Sequence, residues 1–94
     1  MGMVDGKVAI VTGATSGIGT RTVEALIEEG ARVVFTGRRR DEGEDIARRL
    51  GADAIFVRAD ATLEADWIRV IETAMTRFGR IDCLFNNAGG PAPT

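Results

Sequence analysis

The sequence contains no tyrosine and no histidine, and Lys7 is its only lysine. Most side chains that exchange protons near neutral pH are therefore missing. Cys83 is the only cysteine, which excludes an internal disulfide and a cysteine-based metal cluster. We expect a small core residue at this position, no metal site, and a protein of the reducing cytoplasm.

Long apolar runs and a strong charge of either sign are also absent. The apolar runs are too short to cross a bilayer, and no charged-then-apolar leader begins the chain. The net charge is −2, with both signs mixed along the 94 residues. We therefore expect a cytoplasmic protein that binds neither nucleic acid nor membrane.

Short apolar segments alternate with segments of helical periodicity. The predicted strands are Val8–Val11, Arg32–Thr36, Ala54–Arg58 and Cys83–Asn86. They lack polar alternation, as is typical of parallel strands covered on both faces. The predicted helices run over about Gly17–Glu29, over about Asp41–Leu50, and through the apolar positions from Trp67 to Phe78. We interpret Trp67 as a packing residue of the third helix.

Each predicted helix is followed by a glycine that can take the left-handed conformation: Gly30, Gly51 and Gly79. Thr62 is the predicted N-cap of the third helix. The order βαβαβαβ predicts an α/β protein with a parallel sheet and helices on both faces. It corresponds to the first part of a Rossmann-type doubly wound sheet, with strand order 3-2-1-4.

In that order the fourth strand has a neighbour on one side only, so Leu84 and Phe85 are expected near an open edge. Soluble proteins seldom leave such an edge bare. We therefore expect residues 1–94 to be the N-terminal part of a single dinucleotide-binding domain whose remainder is absent. The Gly/Pro-rich ending suits a break in the chain.

A glycine-rich turn follows the first strand. Gly13, Gly17 and Gly19 are spaced G-x-x-x-G-x-G where the strand gives way to a helix. Glycines let the backbone approach a pyrophosphate closely, and the helix N-terminus adds partial positive charge. The alternative is an ordinary strand–helix turn, since the commoner dinucleotide spacing is G-x-G-x-x-G.

The second strand ends in a basic turn. NAD-selective folds usually carry Asp or Glu at this point, to accept a hydrogen bond from the ribose 2′-hydroxyl. Here Gly37, Arg38 and Arg39 stand there instead, and guanidinium groups suit a 2′-phosphate. We favour Arg38 as the main contact, with Arg39 as a contributor and Arg40 facing water; a solvated basic turn is the alternative.

Polar residues also follow the third and fourth strands. The Asp60 carboxylate can accept a hydrogen bond from an adenine amino group, or Asp60 is a turn or cap residue. Asn86 and Asn87 follow the fourth strand, which flanks the reversal of strand order together with the first strand. Their side chains can join the two loops or contact a ribose, and a polar turn is the alternative.

Taken together, Thr12-Gly13-x-x-x-Gly17-Ile18-Gly19 and Asn86-Asn87-Ala88-Gly89 resemble the short-chain dehydrogenase/reductase family in its classical form. The resemblance implies an NAD(P) cofactor and hydride transfer between its nicotinamide and a carbonyl or alcohol. The implied cofactor-binding residues are Gly13, Thr15, Ser16, Gly17, Ile18, Gly19, Gly37, Arg38, Arg39, Asp60, Ala61, Asn87, Ala88 and Gly89.

The family also implies what each group does. The loop from Gly13 to Gly19 holds the pyrophosphate, Asp60 and Ala61 line the adenine site, and Asn87–Gly89 border the ribose. The position of Gly37 is acidic in NAD-preferring members, and that of Arg38 is basic in many NADP-preferring ones. We expect NADP, with NAD as the alternative cofactor.

The chain departs from the family in its chemistry. The family's catalytic Ser and its Tyr-x-x-x-Lys pair lie beyond the Asn-Asn-Ala-Gly motif, so we expect no catalytic residue in this chain and no turnover by it alone. Some members carry a basic residue where Ser16 stands, so NADP preference here depends on Arg38 and its neighbours. The resemblance implies a small-molecule carbonyl or alcohol substrate and a homo-oligomer for the complete protein.

Two alternatives stay open. The chain could be a stand-alone nucleotide-binding or interaction module that recruits a partner through the edge of the fourth strand. The other half of the enzyme could instead come from a companion C-terminal fragment.

Overall fold

The computed structural model describes residues 5–13, 17–60 and 63–86. Its elements are β1 (Val8–Thr12), α1 (Gly17–Glu28), β2 (Arg32–Gly37), α2 (Arg40–Leu50), β3 (Ala54–Arg58), α3 (Glu64–Phe78) and β4 (Cys83–Asn86). All seven predicted elements are confirmed. The ends of β1, β2 and α1 and the start of α2 differ from the prediction by one residue. None of the described helices is long and apolar enough to cross a membrane.

The four strands form one parallel sheet with the order β3-β2-β1-β4, as the sequence predicts. The register places Val11 between Phe35 on β2 and Phe85 on β4. The carboxyl ends of all four strands therefore lie along one side of the sheet.

The two faces of the sheet carry separate apolar cores, because successive strand residues point to opposite faces. On one face Val11, Val33 and Phe35 pack against α1 and α2. On the other face Ile10 and Val34 pack against α3. The expected helices on both faces are thus confirmed, and the central strands β1 and β2 are almost wholly buried.

The glycines behind the helices all adopt positive φ, but Gly51, with ψ −161°, is not in the predicted left-handed conformation. Gly30 has φ +97° and Gly51 has φ +92°. Gly79 is left-handed, with φ 83° and ψ 0°, and its N–H donates to the carbonyls of Ala74 and Met75. Each chain reversal after a helix therefore occurs at a residue without a Cβ, where the positive φ carries little strain.

The predicted N-cap at Thr62 is wrong: the N-cap of α3 is Leu63, which makes no side-chain cap hydrogen bond, and Thr62 lies outside the described residues. Asp66, in the first turn of α3, accepts instead from the backbone N–H of Asp60 at 2.8 Å. The Leu63 N–H donates to the Asp60 carbonyl at 3.0 Å. A carboxylate inside the helix thus anchors the preceding loop without a polar side chain at the cap position.

The edge strands of the described sheet are β3 and β4. β4 pairs only with β1 among the described strands, and Leu84 and Phe85 are 55% and 38% exposed. The prediction of an open, apolar fourth-strand edge is confirmed for these two residues.

Candidate functional site

The ends of β1 and β4 are joined by a side-chain hydrogen bond. Thr12 lies directly opposite Asn86 in the parallel ladder, and its hydroxyl donates to Asn86 Oδ1 at 2.9 Å. An asparagine side chain thus joins the ends of the two strands, while the predicted joining of the loops beyond them involves residues outside the described part of the chain. The bond lies where the strand order reverses, which is where open parallel sheets bind ligands.

A small cavity opens beside this bond. It is lined by Thr12, Thr36, Ala59, Asp60, Trp67 and Val70. These residues come from the ends of three strands and from the start of α3, so the cavity lies on the carboxyl side of the sheet. Its surface is almost wholly apolar.

Trp67 lines this cavity in addition to packing in the core. Only the packing role was predicted from the sequence. Its side chain packs against the core cluster that contains Ile10, Val34 and Val70, as expected. It also forms part of the cavity wall. One signal could have predicted the cavity role: Trp67 lies near the start of α3, which follows the carboxyl end of β3.

The backbone around Asp60 is held by a chain of polar contacts. Asp66 accepts from the Asp60 N–H, and the other oxygen of Asp66 lies 3.2 Å from the Arg69 guanidinium. Arg69 also donates to the Arg58 carbonyl at 2.5 Å. These contacts fix the backbone of Asp60 in the turn before α3, and the choice between the adenine contact and the turn role of its carboxylate stays a prediction.

The basic turn after β2 is exposed and close to the site. Gly37 is buried at the strand end, and Arg38 and Arg39 are exposed. Arg39 pairs with Glu42 at 3.1 Å, with both side chains largely in water, so this pair contributes little stability. Arg38 makes no ion pair with any described residue. Arg40 begins α2 and is exposed, as expected.

The glycine turn has the backbone that the motif predicts where it is described. Gly13 has φ +67° at the end of β1, which favours glycine. Gly17 opens α1, and a Cβ built there would meet no atom within 4 Å. Gly19 is buried in the same first turn. The N-terminus of α1 thus reaches open space on the carboxyl side of the sheet.

Several predicted site residues lie outside the described part of the chain, and their roles stay predictions. They are Thr15, Ser16, Ala61, Asn87, Ala88 and Gly89, together with the side chain of Ile18.

The opposite side of the sheet carries a clamp between β1 and β4. The Val8 N–H donates to Asp82 Oδ2 at 2.8 Å, and the Asp82 N–H donates to the Val8 carbonyl. Arg80 donates to both oxygens of Asp82. These Arg80 bonds, followed by the Val8 amide, lower the pKa of the Asp82 carboxyl. Lys7 precedes β1 at this end, far from the candidate site.

The pKa of the Glu24 carboxyl, between α1 and α2, is also lowered. The Arg49 guanidinium donates to Glu24 at 2.8 Å, and this hydrogen bond is the largest cause that lowers the pKa of Glu24. This pair, like the Asp82 clamp, stabilises the scaffold and lies away from the cavity.

The sheet topology and the glycine turn identify the class of fold. A parallel sheet of this order, with a glycine turn at the reversal point, is the arrangement found in the nucleotide-binding half of doubly wound α/β proteins. The family model described as short chain dehydrogenase matches residues 7–94. The chain belongs to that family.

Individual relatives agree with this assignment. The chain is 43% identical over 86 residues to tropinone reductase-like 1 of Erythroxylum coca, covering 92% of this chain and 32% of the relative. It is 46% identical over 86 residues to the NADP-dependent (R)-specific alcohol dehydrogenase of Lentilactobacillus kefiri, covering 89% of this chain and 34% of the relative.

A solved structure shows the same architecture. It is the crystal structure of 3-ketoacyl-(acyl-carrier-protein) reductase from Brucella melitensis complexed with NADH, with a TM-score of 0.82 and 39% identity. The match covers 85% of this chain and 33% of the reductase. The chain thus spans about a third of the length of the relatives it matches.

Proposed function

We propose that this chain is the cofactor-binding portion of an NADP-preferring short-chain dehydrogenase/reductase. The observation that carries the proposal is the end of β2, where Gly37 is followed by the exposed Arg38 and no carboxylate stands at the strand end. A guanidinium without an acidic partner among the described residues is suited to forked hydrogen bonds with a ribose 2′-phosphate.

The described residues fit a dinucleotide. The positive φ of Gly13 and the open space at Gly17 leave room for a pyrophosphate at the N-terminus of α1. The apolar surface formed in part by Trp67 lies at the carboxyl ends of the strands, where an adenine would lie against Asp60 in this proposal. In this proposal Thr15, Ser16 and Ile18 complete the phosphate loop, Ala61 lines the adenine site, and Asn87, Ala88 and Gly89 border the ribose.

The complete protein would transfer hydride between the nicotinamide and a carbonyl or alcohol. The bound cofactor supplies the hydride, while this chain binds and orients its adenosine and pyrophosphate. The proton-transferring residues would come from outside residues 1–94, because no tyrosine or histidine is present. We accordingly propose that the chain alone is inactive and that the complete protein is a cytoplasmic homo-oligomer.

The relatives support a nicotinamide cofactor but differ in its type. The alcohol dehydrogenase is described as NADP-dependent, whereas the Brucella reductase is complexed with NADH. The preference for NADP in this protein therefore depends on its own arginines, and NAD is the alternative.

Calorimetric titration of the intact protein that contains this sequence tests the proposal. We expect NADPH to bind more tightly than NADH, and adenosine 2′,5′-bisphosphate to compete with NADPH because it carries the 2′-phosphate. Equal or tighter binding of NADH would overturn the NADP preference. Absence of binding by both dinucleotides would overturn the cofactor role itself.

A further inference from the structure

The sheet has a second outer strand, β3, and its free side differs from that of β4. An open groove runs along β3 between α2 and α3. Residues 55–58 of β3 form its floor, and its charged lining residues are Arg40, Glu44, Arg58, Arg69 and Arg77. This "β3 groove" has no neighbouring strand among the described residues.

The β3 groove is strongly positive within an acidic chain. Four arginines and one glutamate line it, whereas the net charge of the whole sequence is −2. Arg69 pairs with Asp66 outside the groove lining. Arg40, Arg58 and Arg77 have no ion-pair partner among the described residues, so their charge is available to a ligand.

The backbone at the floor of the groove is arranged for a further strand. The Ala59 N–H donates to the Gly37 carbonyl, and the Asp53 carbonyl accepts from the Val33 N–H. The odd-numbered residues of β3 therefore face β2. Because alternate strand residues face opposite neighbours, the N–H and C=O of Phe56 and the N–H of Arg58 point into the groove.

We propose that the β3 groove binds an extended acidic peptide segment, which adds to β3 as an extra strand. The floor offers donors and an acceptor in the alternation that strand addition uses, whereas a small anion would use donors alone. Arginines from both helices flank this floor, so they can pair with acidic side chains of the added segment.

The contrast between the apolar β4 edge and the arginine-lined β3 groove favours an acidic segment as the ligand of the groove. The β4 edge exposes Leu84 and Phe85, which suits permanent apolar cover. Charged residues along an edge discourage pairing with a like-charged edge, so the β3 groove repels a second copy of itself. The same arginines attract a segment of opposite charge.

Fluorescence anisotropy with a labelled peptide tests the charge requirement. The probe is a peptide of about eight residues, a usual strand length, that alternates glutamate and valine, and it is titrated into the intact protein. We expect the double variant Arg40→Gln/Arg77→Gln to bind it about tenfold more weakly, since each exposed ion pair contributes a few-fold. The matched variant Arg21→Gln/Arg48→Gln removes two exposed arginines outside the groove and should bind like the unmodified protein.

Amide hydrogen exchange tests the strand geometry. The probe should slow exchange at Phe56 and Arg58, while Ile55 and Val57, whose amides face β2, should not change. An equally charged peptide with every backbone amide N-methylated should not bind, because it has no N–H to donate to the Phe56 carbonyl.

Three results would overturn the proposal: no binding of the probe, equal losses in the two arginine variants, or equally tight binding of the N-methylated peptide. The last would show general attraction of acidic chains without strand addition. Dinucleotide titrations are independent of these measurements, so failure here leaves the proposed cofactor role intact.

Discussion

The Thr12 hydroxyl donates to Asn86 Oδ1 at 2.9 Å and joins the carboxyl ends of β1 and β4. Thr12 is 1% exposed, so the bond connects the buried end of the central strand β1 to the last residue of β4. It lies at the carboxyl end of β1, where the strand order reverses between β2 on one side and β4 on the other. This places a fixed polar link beneath the proposed cofactor.

Thr12→Val keeps the side-chain shape and removes the hydroxyl. We expect it to lower the free energy of unfolding of the intact protein by about 0.5–1.5 kcal/mol, as for a typical hydrogen bond. A double-mutant cycle with Asn86→Ala, measured by urea denaturation, isolates the pair. Strictly additive effects of the two substitutions would show that the bond contributes nothing.

Gly43 is buried in α2 against the ring of Phe56, and a Cβ built there would overlap that ring. Overpacking at this site should cost about 1–3 kcal/mol, and alanine in a helix interior returns about 1 kcal/mol. Gly43→Ala should therefore destabilise the protein by up to about 2 kcal/mol. Thermal unfolding measures the effect.

The double variant Gly43→Ala/Phe56→Ala is the control for this clash. Removing the ring makes room for the new methyl group, so the Gly43→Ala change should be neutral or stabilising in that background. A stabilising effect of Gly43→Ala in the unmodified protein would contradict the packing described.

The Asp82 clamp predicts a pH dependence. Arg80 and the Val8 amide lower the pKa of Asp82 in the folded state, so the carboxylate stabilises the fold above its unfolded pKa. That contribution is lost as the pH falls below about 4 and through the folded pKa. Asp82→Asn should destabilise the protein at neutral pH, and the difference should shrink in acid.

Urea denaturation across pH 3 to 7 measures this difference. Glu72→Gln, on the exposed side of α3, controls for the loss of one negative charge. A deficit of Asp82→Asn that stays constant from neutral pH to acid would rule out the ionised clamp as its cause.

The apolar β4 edge predicts association of the isolated 94-residue chain. Leu84 is 55% exposed beside unpaired strand edges, which favour contact with another chain. Sedimentation velocity should show oligomers, and Leu84→Lys should reduce them. Leu63→Lys removes an equally exposed leucine before α3 and should have less effect. A clean monomer of the unmodified chain at high concentration would refute the prediction.

Much of the fold could be predicted because the sequence marks it locally. The apolar runs of β1 and β2 and the glycines after each helix set the elements to within about a residue. Right-handed crossovers predict the parallel sheet, and the strand order follows from the doubly wound pattern that the βαβαβαβ order matches.

The hydrogen bonds and side-chain contacts around the site could not be predicted in the same way. The Asp66 carboxylate replaces a capping side chain by reaching back to the Asp60 amide, a contact that depends on the path of the loop. Trp67 was predicted to pack, and its second role in the cavity wall depends on how α3 lies over the strand ends. The β3 groove likewise depends on how α2 and α3, which directly precede and follow β3 in the chain, pack on opposite faces of the sheet.

Cofactor binding by Arg38→Ala tests the central claim most directly. Calorimetry on the intact protein should show NADPH binding weakened by roughly 10–100-fold, because a hydrogen bond to a charged group contributes about 1.5–3 kcal/mol. NADH binding should be unchanged, and Arg48→Ala, on the exposed side of α2, should affect neither cofactor. Equal losses of NADPH and NADH affinity in Arg38→Ala would contradict the 2′-phosphate role of Arg38.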